Sequence, residues 1–348
     1  MRAVRLHTTE DLRVEDVAEP TPGPGEVRLR NAYAGICGSD LHMYYAPRPA
    51  GMGSPHPLTG ATRPQVLGHE FSGTVVELGE GVAGVSVGDR VAVFPIYFCG
   101  ECAACRQGRV NACRQIGFHG LTSHGGGMAE STVVAASMLH VLPESVDLRL
   151  GALVEPMAVA WHAVRMSGVR PGQAALVCGA GPIGIGLWFA LRARGVDAVV
   201  VSEPSPQRRA ATVRVGAAAV VDPVAEDLGE RLRAVTPDGA DVAFDAAGVG
   251  PAVTSALDLL APGGRLVVVA MHERPMGLDI TPLVMGEASI VGSLAYLPED
   301  FNEVIGAMAA GRYDLTGWVD EVGFDEVAHT LGRLRAGHGM KVLVSSGR

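Results

Sequence analysis

Ala175-Leu-Val-Cys178-Gly179-Ala-Gly181-Pro-Ile-Gly184 is the stretch that decides how the second half of this chain folds. A short apolar run leads directly into three glycines spaced as G-x-G-x-x-G, and an apolar segment follows them. The first glycine permits a tight turn, the second lets the backbone approach a pyrophosphate, and the third lets a helix pack closely on a strand. The N-terminus of that helix faces the anion. The stretch therefore predicts a dinucleotide-binding turn.

Around this turn, short strand-like runs alternate with helical segments from about Leu153 onward. The runs lie at 174–178, 198–202, 218–222, 242–245, 265–269 and 289–291. This βαβ rhythm predicts a doubly wound parallel sheet. The segment from Ala174 to Leu191 carries no charge for 18 residues and approaches the length of a membrane span. Its glycines and Pro182 fit a strand, a turn and a buried helix better, so we expect no contact with a membrane.

The second predicted strand ends in an acidic residue, Glu203. A carboxylate at this position accepts hydrogen bonds from both hydroxyls of the adenine ribose and repels a 2′-phosphate, which favours NAD over NADP. Arg208 and Arg209 follow closely, and either could hold a phosphate, which argues the other way.

The first 150 residues differ from the rest in being rich in Val, Gly and Pro. Apolar runs such as 71–78 and 87–93 are broken by Gly and Asp turns, which is typical of antiparallel β structure and predicts a small barrel. Residues 44–64 contain five prolines and predict a long surface loop. The end of the chain predicts two helices, at 299–310 and 325–337, and a last strand that could return to the first domain.

Four cysteines lie close together, with the spacing C-x2-C-x2-C-x7-C. Four thiolates at this spacing match a tetrahedral structural zinc site, which leaves no open coordination position. The last cysteine lies too far along the chain for the usual iron–sulfur run. The alternatives are disulfides or free buried thiols. The four residues are Cys99, Cys102, Cys105 and Cys113.

A second metal site is predicted from residues that are far apart in the sequence. Cys37 lies in Cys-Gly-Ser-Asp-Leu-His, His69 in Gly-His-Glu, and Glu155 in Val-Glu-Pro. A thiolate, an imidazole and a carboxylate form a three-ligand set that leaves zinc one open position for the oxygen of an alcohol. The alternative is that Cys37 and His69 are unrelated residues of the core.

The composition excludes several classes of protein. The 348 residues are enough for two domains, and 48% hydrophobic with 19% charged residues indicates a globular protein. A net charge of −9 without a basic block gives no footprint for nucleic acid. Lys341 is the only lysine, a bias that we attribute to genome composition. No cationic and then apolar segment begins the chain, so we expect a cytoplasmic protein.

Taken together, these motifs resemble those of the zinc-dependent medium-chain alcohol dehydrogenases over nearly the full chain. Within that family the chain is most similar to the branch of 2,3-butanediol, sorbitol and threonine dehydrogenases. Three segments look most like butanediol dehydrogenases: His56-Pro-Leu-Thr-Gly60, Glu203-Pro-Ser205 and Glu299-Asp-Phe301. The resemblance implies an α/β protein with a GroES-like β-barrel catalytic domain at 1–155 and 296–348. It implies a Rossmann cofactor domain at 156–295.

The resemblance also implies roles for single residues. Cys37, His69 and Glu70 match the catalytic zinc ligands, and Glu155 either binds zinc, exchanges with Glu70 or holds the zinc-bound water. Ser39 and His42 match a relay that passes the alcohol proton through the cofactor ribose. Asp40 is expected to orient the local backbone. The implied cofactor contacts are Gly179, Gly181, Pro182, Ile183, Gly184, Glu203, Arg208, Val269, Ala270, Met271, Ser293, Leu294 and Ala295.

Two tyrosines are the candidate substrate residues. Tyr296 matches a position near the substrate in sorbitol dehydrogenases, and Tyr44 could line the pocket or serve in ordinary packing. Ala295 stands where sorbitol dehydrogenases use an arginine to hold a polyol, which argues against sorbitol.

We therefore expect an NAD-dependent zinc oxidoreductase that interconverts a vicinal diol with its hydroxyketone, as a homodimer or homotetramer. The alternatives are a reductase of a larger ketone in a specialised pathway, a sorbitol or threonine dehydrogenase, and a non-catalytic binding protein that retains the fold.

Overall fold

The computed structural model describes residues 1–45 and 54–347 of the chain. Residues 46–53 of the predicted loop at 44–64 lie outside the described residues. The chain divides into two compact units, of which the first comprises Met1–Glu155, Leu297–Ala309 and Trp318–Arg348. The second comprises Pro156–Tyr296 and Ala310–Gly317. The division expected from the sequence differs from this one at Tyr296 and at 310–317, which it assigned to the first domain.

Short strands dominate the part of the chain before residue 150. The strands are β1 (Arg2–Thr8), β2 (Asp11–Asp16), β3 (Glu26–Gly35), β4 (Gln65–Val66), β5 (Glu70–Leu78), β6 (Arg90–Val93), β7 (Ile96–Tyr97), β8 (Gly117–Phe118), β9 (Ser131–Ala135) and β10 (Leu139–Val141). The helices are α1 (Gly38–Tyr45), α2 (Ala103–Arg106) and α3 (Leu148–Gly151), with 3₁₀ turns at Val110–Ala112 and Ala136–Met138.

Strand β3 shows why this part of the chain forms sheets. Val27 and Leu29 are buried, whereas Arg30 is exposed, because successive side chains of a strand point to opposite faces. The buried face packs into the core of the first unit, which includes Phe71 and Val91.

Strands and helices alternate in the second unit. The elements from residue 154 onward are α4 (Val154–Ser167), β11 (Ala174–Cys178), α5 (Pro182–Ala193), β12 (Ala198–Ser202), α6 (Pro206–Arg214), β13 (Ala219–Val221), α7 (Leu228–Arg233), β14 (Ala240–Asp245), α8 (Gly250–Asp258), β15 (Leu260–Val268), α9 (Thr281–Met285) and β16 (Ser289–Gly292).

The strands of the second unit form one parallel sheet in the order β13-β12-β11-β14-β15-β16. The strand order reverses beside β11, so the carboxyl ends of β11 and β14 form the switch point at which such sheets bind dinucleotides. The predicted doubly wound parallel sheet is confirmed, and the glycine turn follows β11 directly.

The last part of the chain begins with α10 (Pro298–Ala309) and continues with β17 (Val319–Val322), a 3₁₀ turn at Phe324–Glu326, α11 (Val327–Arg335) and β18 (Lys341–Ser345). Strand β18 pairs antiparallel with β3, with Leu343 opposite Gly35. It therefore joins the larger sheet of the first unit, whose order is β10-β6-β5-β3-β18-β17 with β9 also paired to β3. A smaller sheet has the order β2-β1-β4.

Within 1–45 and 54–347, no helix combines the length and the apolar character that crossing a bilayer would require.

Candidate metal and cofactor sites

The four-cysteine lobe is built from turns. Cys99 follows β7, Cys102 precedes the first residue of α2, Cys105 lies within α2, and Cys113 ends a 3₁₀ turn. Gly100 has a φ of 74°, a left-handed conformation that lets the chain turn back between the first two cysteines. The short elements thus bring four sulfurs together without a strand or a long helix.

The sulfur positions fit a tetrahedral metal. Sγ–Sγ distances are 4.0 Å for Cys99 and Cys105, 3.5 Å for Cys102 and Cys105, and 3.5 Å for Cys113 and Cys99. Four thiolates around zinc would lie about 3.8 Å apart, whereas a disulfide needs about 2.05 Å. Backbone N–H groups of Cys99 and Cys102 donate to sulfurs at 3.3 and 3.4 Å, which favours thiolates. The donor set therefore fits zinc and not a pair of disulfides.

A second cluster forms where neighbouring strands of the first unit end. Ligand atoms of Cys37, His69 and Glu70 all lie within 4.8 Å of one another. Cys37 follows β3, and Glu70 begins β5, where it pairs with Gly35. Pairing of β3 with β5 therefore places a thiol beside a carboxylate although the two are 33 positions apart in the sequence.

The charges of this cluster favour a cation. Burial acts to lower the pKa of His69, but a hydrogen bond from the imidazole to Cys37 and the negative charges of Cys37, Asp40 and Glu155 raise it to about 10. A buried imidazole that holds a proton so tightly lies among several anionic groups. A metal ion that replaces this proton would satisfy the same anions, so the donor set fits zinc.

Glu155 lies in the first turn of α4 and is buried, with 5% of its surface exposed. It is not a member of the group whose ligand atoms lie within 4.8 Å of one another. Its charge nevertheless acts on His69 and Lys341. The charge of Glu155 therefore helps to raise the pKa of both groups.

Helix α1 carries the two residues of the expected proton relay. The hydroxyl of Ser39 lies 3.2 Å from Nε2 of His69. His42 is exposed and lies three positions further along α1, so the two side chains share a face of the helix. Asp40 accepts a hydrogen bond from the N–H of Cys37 at 2.9 Å, which fits the expected role in orienting the backbone.

The structure places the two candidate substrate residues differently. Tyr44 packs against the core, and its hydroxyl donates to the carbonyl oxygen of Glu10 at 3.3 Å, which supports the packing alternative. Tyr296 has no exposed surface.

The glycine turn of the second unit leaves room for a ligand. Gly179 has a φ of 98°, and a Cβ on Gly184 would overlap the carbonyl oxygen of Gly179. A Cβ on Gly181 would meet only a guanidinium nitrogen of Arg208, at 3.8 Å. This open space beside the N-terminus of α5 fits a pyrophosphate. A cavity of about 420 Å³ opens beside the turn and is lined by Gly179, Gly181, Glu203 and Arg208, among others.

Glu203 and the two arginines have separate surroundings. The carboxylate of Glu203 is buried and accepts hydrogen bonds from the N–H groups of Ala180 at 2.7 Å and Ser205 at 2.8 Å. Arg209 pairs with Asp222 at 2.8 Å and donates to the carbonyl oxygen of Glu203 at 2.9 Å. By contrast, Nε of Arg208 is buried without a hydrogen-bond partner among the described residues. Arg208 is therefore the arginine available to a ligand in this pocket.

The remaining expected cofactor contacts lie at the ends of β15 and β16. The backbone N–H groups of Val269 and Ala270 both donate to the carbonyl oxygen of Asp245 at 3.0 Å. Met271 and Leu294 are large apolar side chains that are 78% and 52% exposed. Ser293 has a buried hydroxyl that lacks a partner within the described part of the chain. These positions follow the carboxyl ends of β15 and β16, and dinucleotides bind at the carboxyl ends of the strands in such sheets.

Lys341 is the site residue that sequence reasoning missed. Its ammonium group contacts a carboxylate oxygen of Glu70 and donates to the carbonyl oxygen of Ile36 at 2.9 Å. Burial acts to lower its pKa, but the charges of Glu70 and Cys37 outweigh burial and raise it. The available signal was compositional, since a chain with 28 basic residues contains one lysine. We attributed that to genome composition, and the structure gives the residue a specific place.

Comparison with known proteins identifies the family of this chain. The family model for the alcohol dehydrogenase GroES-like domain matches residues 23–144, and that for zinc-binding dehydrogenases matches 182–310. The chain is 38% identical to (R,R)-butanediol dehydrogenase of Bacillus subtilis over 314 residues, which cover 90% of this chain and 89% of that protein. It is 37% identical over 302 residues to 2-dehydro-3-deoxy-L-galactonate 5-dehydrogenase of Pseudoalteromonas atlantica, covering 86% and 85%.

A solved structure gives the same result. The crystal structure of 2R,3R-butanediol dehydrogenase from Bacillus subtilis superimposes with a TM-score of 0.92 at 36% identity and covers 99% of each chain. The two clusters of metal donors, the glycine turn and these matches all point to the same family. The matches cover nearly the whole length of this chain. The chain belongs to the zinc-dependent medium-chain alcohol dehydrogenases, oxidoreductases that act on CH–OH groups with zinc and a nicotinamide cofactor.

Proposed function

We propose that this chain interconverts a vicinal diol of the 2,3-butanediol type with its hydroxyketone, using NAD. The observation that carries the proposal is the convergence of Cys37, His69 and Glu70 to within 4.8 Å in a chain of this family. Similarity to a butanediol dehydrogenase supports the substrate class.

Each residue of the cluster has a role in the proposed reaction. Cys37, His69 and Glu70 would hold a zinc ion, which would supply a Lewis acid for the alcohol oxygen, and the nicotinamide cofactor would supply the hydride acceptor. Ser39 would accept the alcohol's proton as it gives up its own hydroxyl proton, and the exposed His42 on the same helix, reached through the cofactor ribose as the resemblance implies, would release a proton to solvent.

Two features support a small diol as the substrate. Glu155 is a buried carboxylate that acts on the cluster, and it can accept a hydrogen bond from the second hydroxyl of a diol. Ala295 has no group to hold a longer polyol, where sorbitol dehydrogenases carry an arginine. The proposal therefore favours butanediol or acetoin over sorbitol.

We also propose NAD as the preferred cofactor. Glu203 is a buried carboxylate in the cofactor pocket, and Arg209 is engaged by Asp222. A negative charge at this place favours free ribose hydroxyls over a 2′-phosphate. Arg208 remains available to the adenosine end of the cofactor in either case.

The proposal includes a homodimer or homotetramer. Strand β16 pairs with β15 and is the last strand on its side of the sheet, so its outer edge is open. Ile280, Val284 and Met285, which shortly precede β16 in the sequence, are 62%, 72% and 81% exposed. An open edge beside exposed apolar side chains is typical of a surface that pairs with another chain. Light scattering after gel filtration should give at least twice the 36.1 kDa of one chain.

Zinc content and turnover test the function. Purified protein should contain two zinc ions per chain and reduce NAD with racemic 2,3-butanediol faster than with sorbitol or threonine. Acetoin should be reduced in the reverse direction. A single zinc per chain would refute the catalytic site. Two zinc ions without turnover of any of these compounds would refute the substrate class and favour the reductase of a larger ketone.

A further inference from the structure

A buried cation next to a metal ligand calls for an explanation. Lys341 is 2% exposed, and its ammonium group contacts Oε2 of Glu70, which is itself fully buried. An ammonium group in the interior is costly unless it is paired and hydrogen-bonded, and Lys341 meets both conditions through Glu70 and the carbonyl oxygen of Ile36. Two residues that are 271 positions apart in the sequence are thus in contact at the proposed metal site.

The two oxygens of the Glu70 carboxylate have different surroundings. Oε2 contacts Lys341, whereas Oε1 is buried and has no hydrogen-bond partner in the described part of the chain. A buried acceptor without a partner is rare in folded proteins and points to a ligand that completes it. Oε1 belongs to a residue whose ligand atom lies within 4.8 Å of those of Cys37 and His69.

The backbone is shaped to admit this ion pair. Gly35 lies opposite Glu70 on β5 and opposite Leu343 on β18. A Cβ on Gly35 would overlap Oε2 of Glu70 and would lie 2.9 Å from Cε of Lys341. Gly35 has no positive φ, so the close approach of the ion pair, and not the backbone conformation, requires a glycine there.

We propose that Lys341 is a positioning residue, which fixes one oxygen of Glu70 so that the other oxygen faces the catalytic zinc. Held in this way, Glu70 offers the metal a single oxygen and cannot turn both oxygens toward it. Strand β18 supplies the anchor, so the last strand of the chain sets the geometry of a site whose ligands lie in the first 70 residues. The inference rests on the proposed zinc site and not on the identity of the substrate.

Two variants separate the anchor from general packing. Lys341→Met keeps the apolar stem and removes the charge, and Gly35→Ala keeps both charges but displaces Oε2. Groups that orient metal ligands change metal affinity by about 10- to 100-fold when they are removed. We expect both variants to lose the catalytic zinc to a chelator at about a tenfold lower chelator concentration than the wild type. The lobe zinc should stay, which serves as an internal control.

Val344→Ala provides the matched control, because Val344 is buried on the same strand at a position whose side chain points to the opposite face from Lys341. It should loosen β18 without a change in the retention of catalytic zinc. Cobalt exchanged into the catalytic site gives a second readout, since the visible spectrum should change in the two test variants and not in the control.

The outcomes decide between the possibilities. The inference would be overturned if both test variants retained the catalytic zinc and showed the cobalt spectrum as the wild type does. It would also be overturned if Lys341→Met bound the catalytic zinc more tightly than the wild type, or if Val344→Ala lost that zinc as readily as the test variants. If Lys341→Met does not fold, Gly35→Ala decides alone. A wild-type protein with one zinc per chain would instead refute the proposed catalytic site.

Discussion

At the scale of single residues, the carboxylate of Glu155 has two possible tasks, binding the metal or holding the substrate. Glu155 lies outside the group of ligand atoms within 4.8 Å, and it is 5% exposed. Of the two tasks, holding the substrate is the one we propose, because Glu155 is buried and lies outside that group.

We therefore predict that Glu155→Ala retains two zinc ions per chain while kcat/KM for 2,3-butanediol falls. A hydrogen bond to a charged group contributes about 1.5–3 kcal/mol, so the decrease should be about 10- to 100-fold. Metal analysis and initial rates measure the two quantities on one preparation. A variant with one zinc per chain would show instead that Glu155 is a ligand.

Glu203 permits a prediction about cofactor choice. Its two oxygens accept hydrogen bonds from the N–H groups of Ala180 and Ser205, and the residue lines the cavity beside the glycine turn. Glu203→Gln removes the charge and keeps one acceptor oxygen. We expect kcat/KM with NAD to fall about tenfold and the ratio of NAD to NADP activity to fall further, because repulsion of a 2′-phosphate is also lost.

Steady-state rates with both cofactors measure that ratio. Arg209→Gln is the control, since its guanidinium pairs with Asp222 and should affect stability more than selectivity. An unchanged ratio in Glu203→Gln would show that another residue reads the ribose.

At the scale of elements, the two glycines Gly184 and Gly306 should respond in opposite ways to the same substitution. Gly184 lies in α5, where a Cβ would overlap the backbone of the glycine turn, whereas Gly306 is exposed in α10 with nothing within 4 Å of a Cβ. Overpacking against backbone costs about 1–3 kcal/mol. An exposed helical glycine costs about 0.5–1 kcal/mol relative to alanine.

We predict that Gly184→Ala lowers the free energy of unfolding by about 1–3 kcal/mol and raises KM for NAD, since the turn must move. Gly306→Ala should raise the free energy of unfolding by about 0.5–1 kcal/mol and leave KM unchanged. Urea denaturation and initial rates measure both. A Gly184→Ala protein with wild-type stability and KM would mean that the turn adapts without cost.

The elements also show what sequence patterns can predict. Strands β11 and β12 begin and end close to where apolar runs do, because a buried parallel strand is a continuous apolar run between turns. The start of the loop at 44–64 was wrong, since Tyr44 and Tyr45 end helix α1. Propensity does not reveal that Tyr44 packs on the core and contacts Glu10, because such contacts depend on tertiary structure.

At the scale of the whole molecule, local motifs could be predicted and long-range partners could not. The cysteine lobe and the glycine turn each lie within a short segment, so spacing alone identifies them. The pairing of Lys341 with Glu70 joins residues 271 positions apart and follows from the order of β5, β3 and β18. No spacing rule connects such residues, because sheet order determines which strand ends meet. The metal roles of Cys37, His69 and Glu70 remain predictions that zinc analysis tests.

The cysteine lobe also has consequences for the stability of the molecule. Between Cys99 and Gln115, Asn111 and Cys113 are the buried residues. A segment with so few buried side chains cannot offset the entropy lost in ordering its backbone, so a bound metal must stabilise it. Its four cysteines leave no open position on the metal, whereas the catalytic cluster has one, and the catalytic zinc should therefore leave first.

We predict that stepwise chelation first abolishes activity with little change in the melting temperature, and then lowers the melting temperature as the lobe zinc leaves. Loss of the second zinc should also make the exposed Arg106, Arg109 and Arg114 susceptible to trypsin, because a lobe without metal has no core to hold its turns in place. Zinc analysis, melting curves and mapping of the tryptic fragments follow the three events. Cys102→Ser should be cut at these arginines without chelator, since it lacks one of the four lobe ligands. Protein stripped of both zinc ions but still resistant to trypsin at these sites would mean that packing, and not metal, holds the lobe.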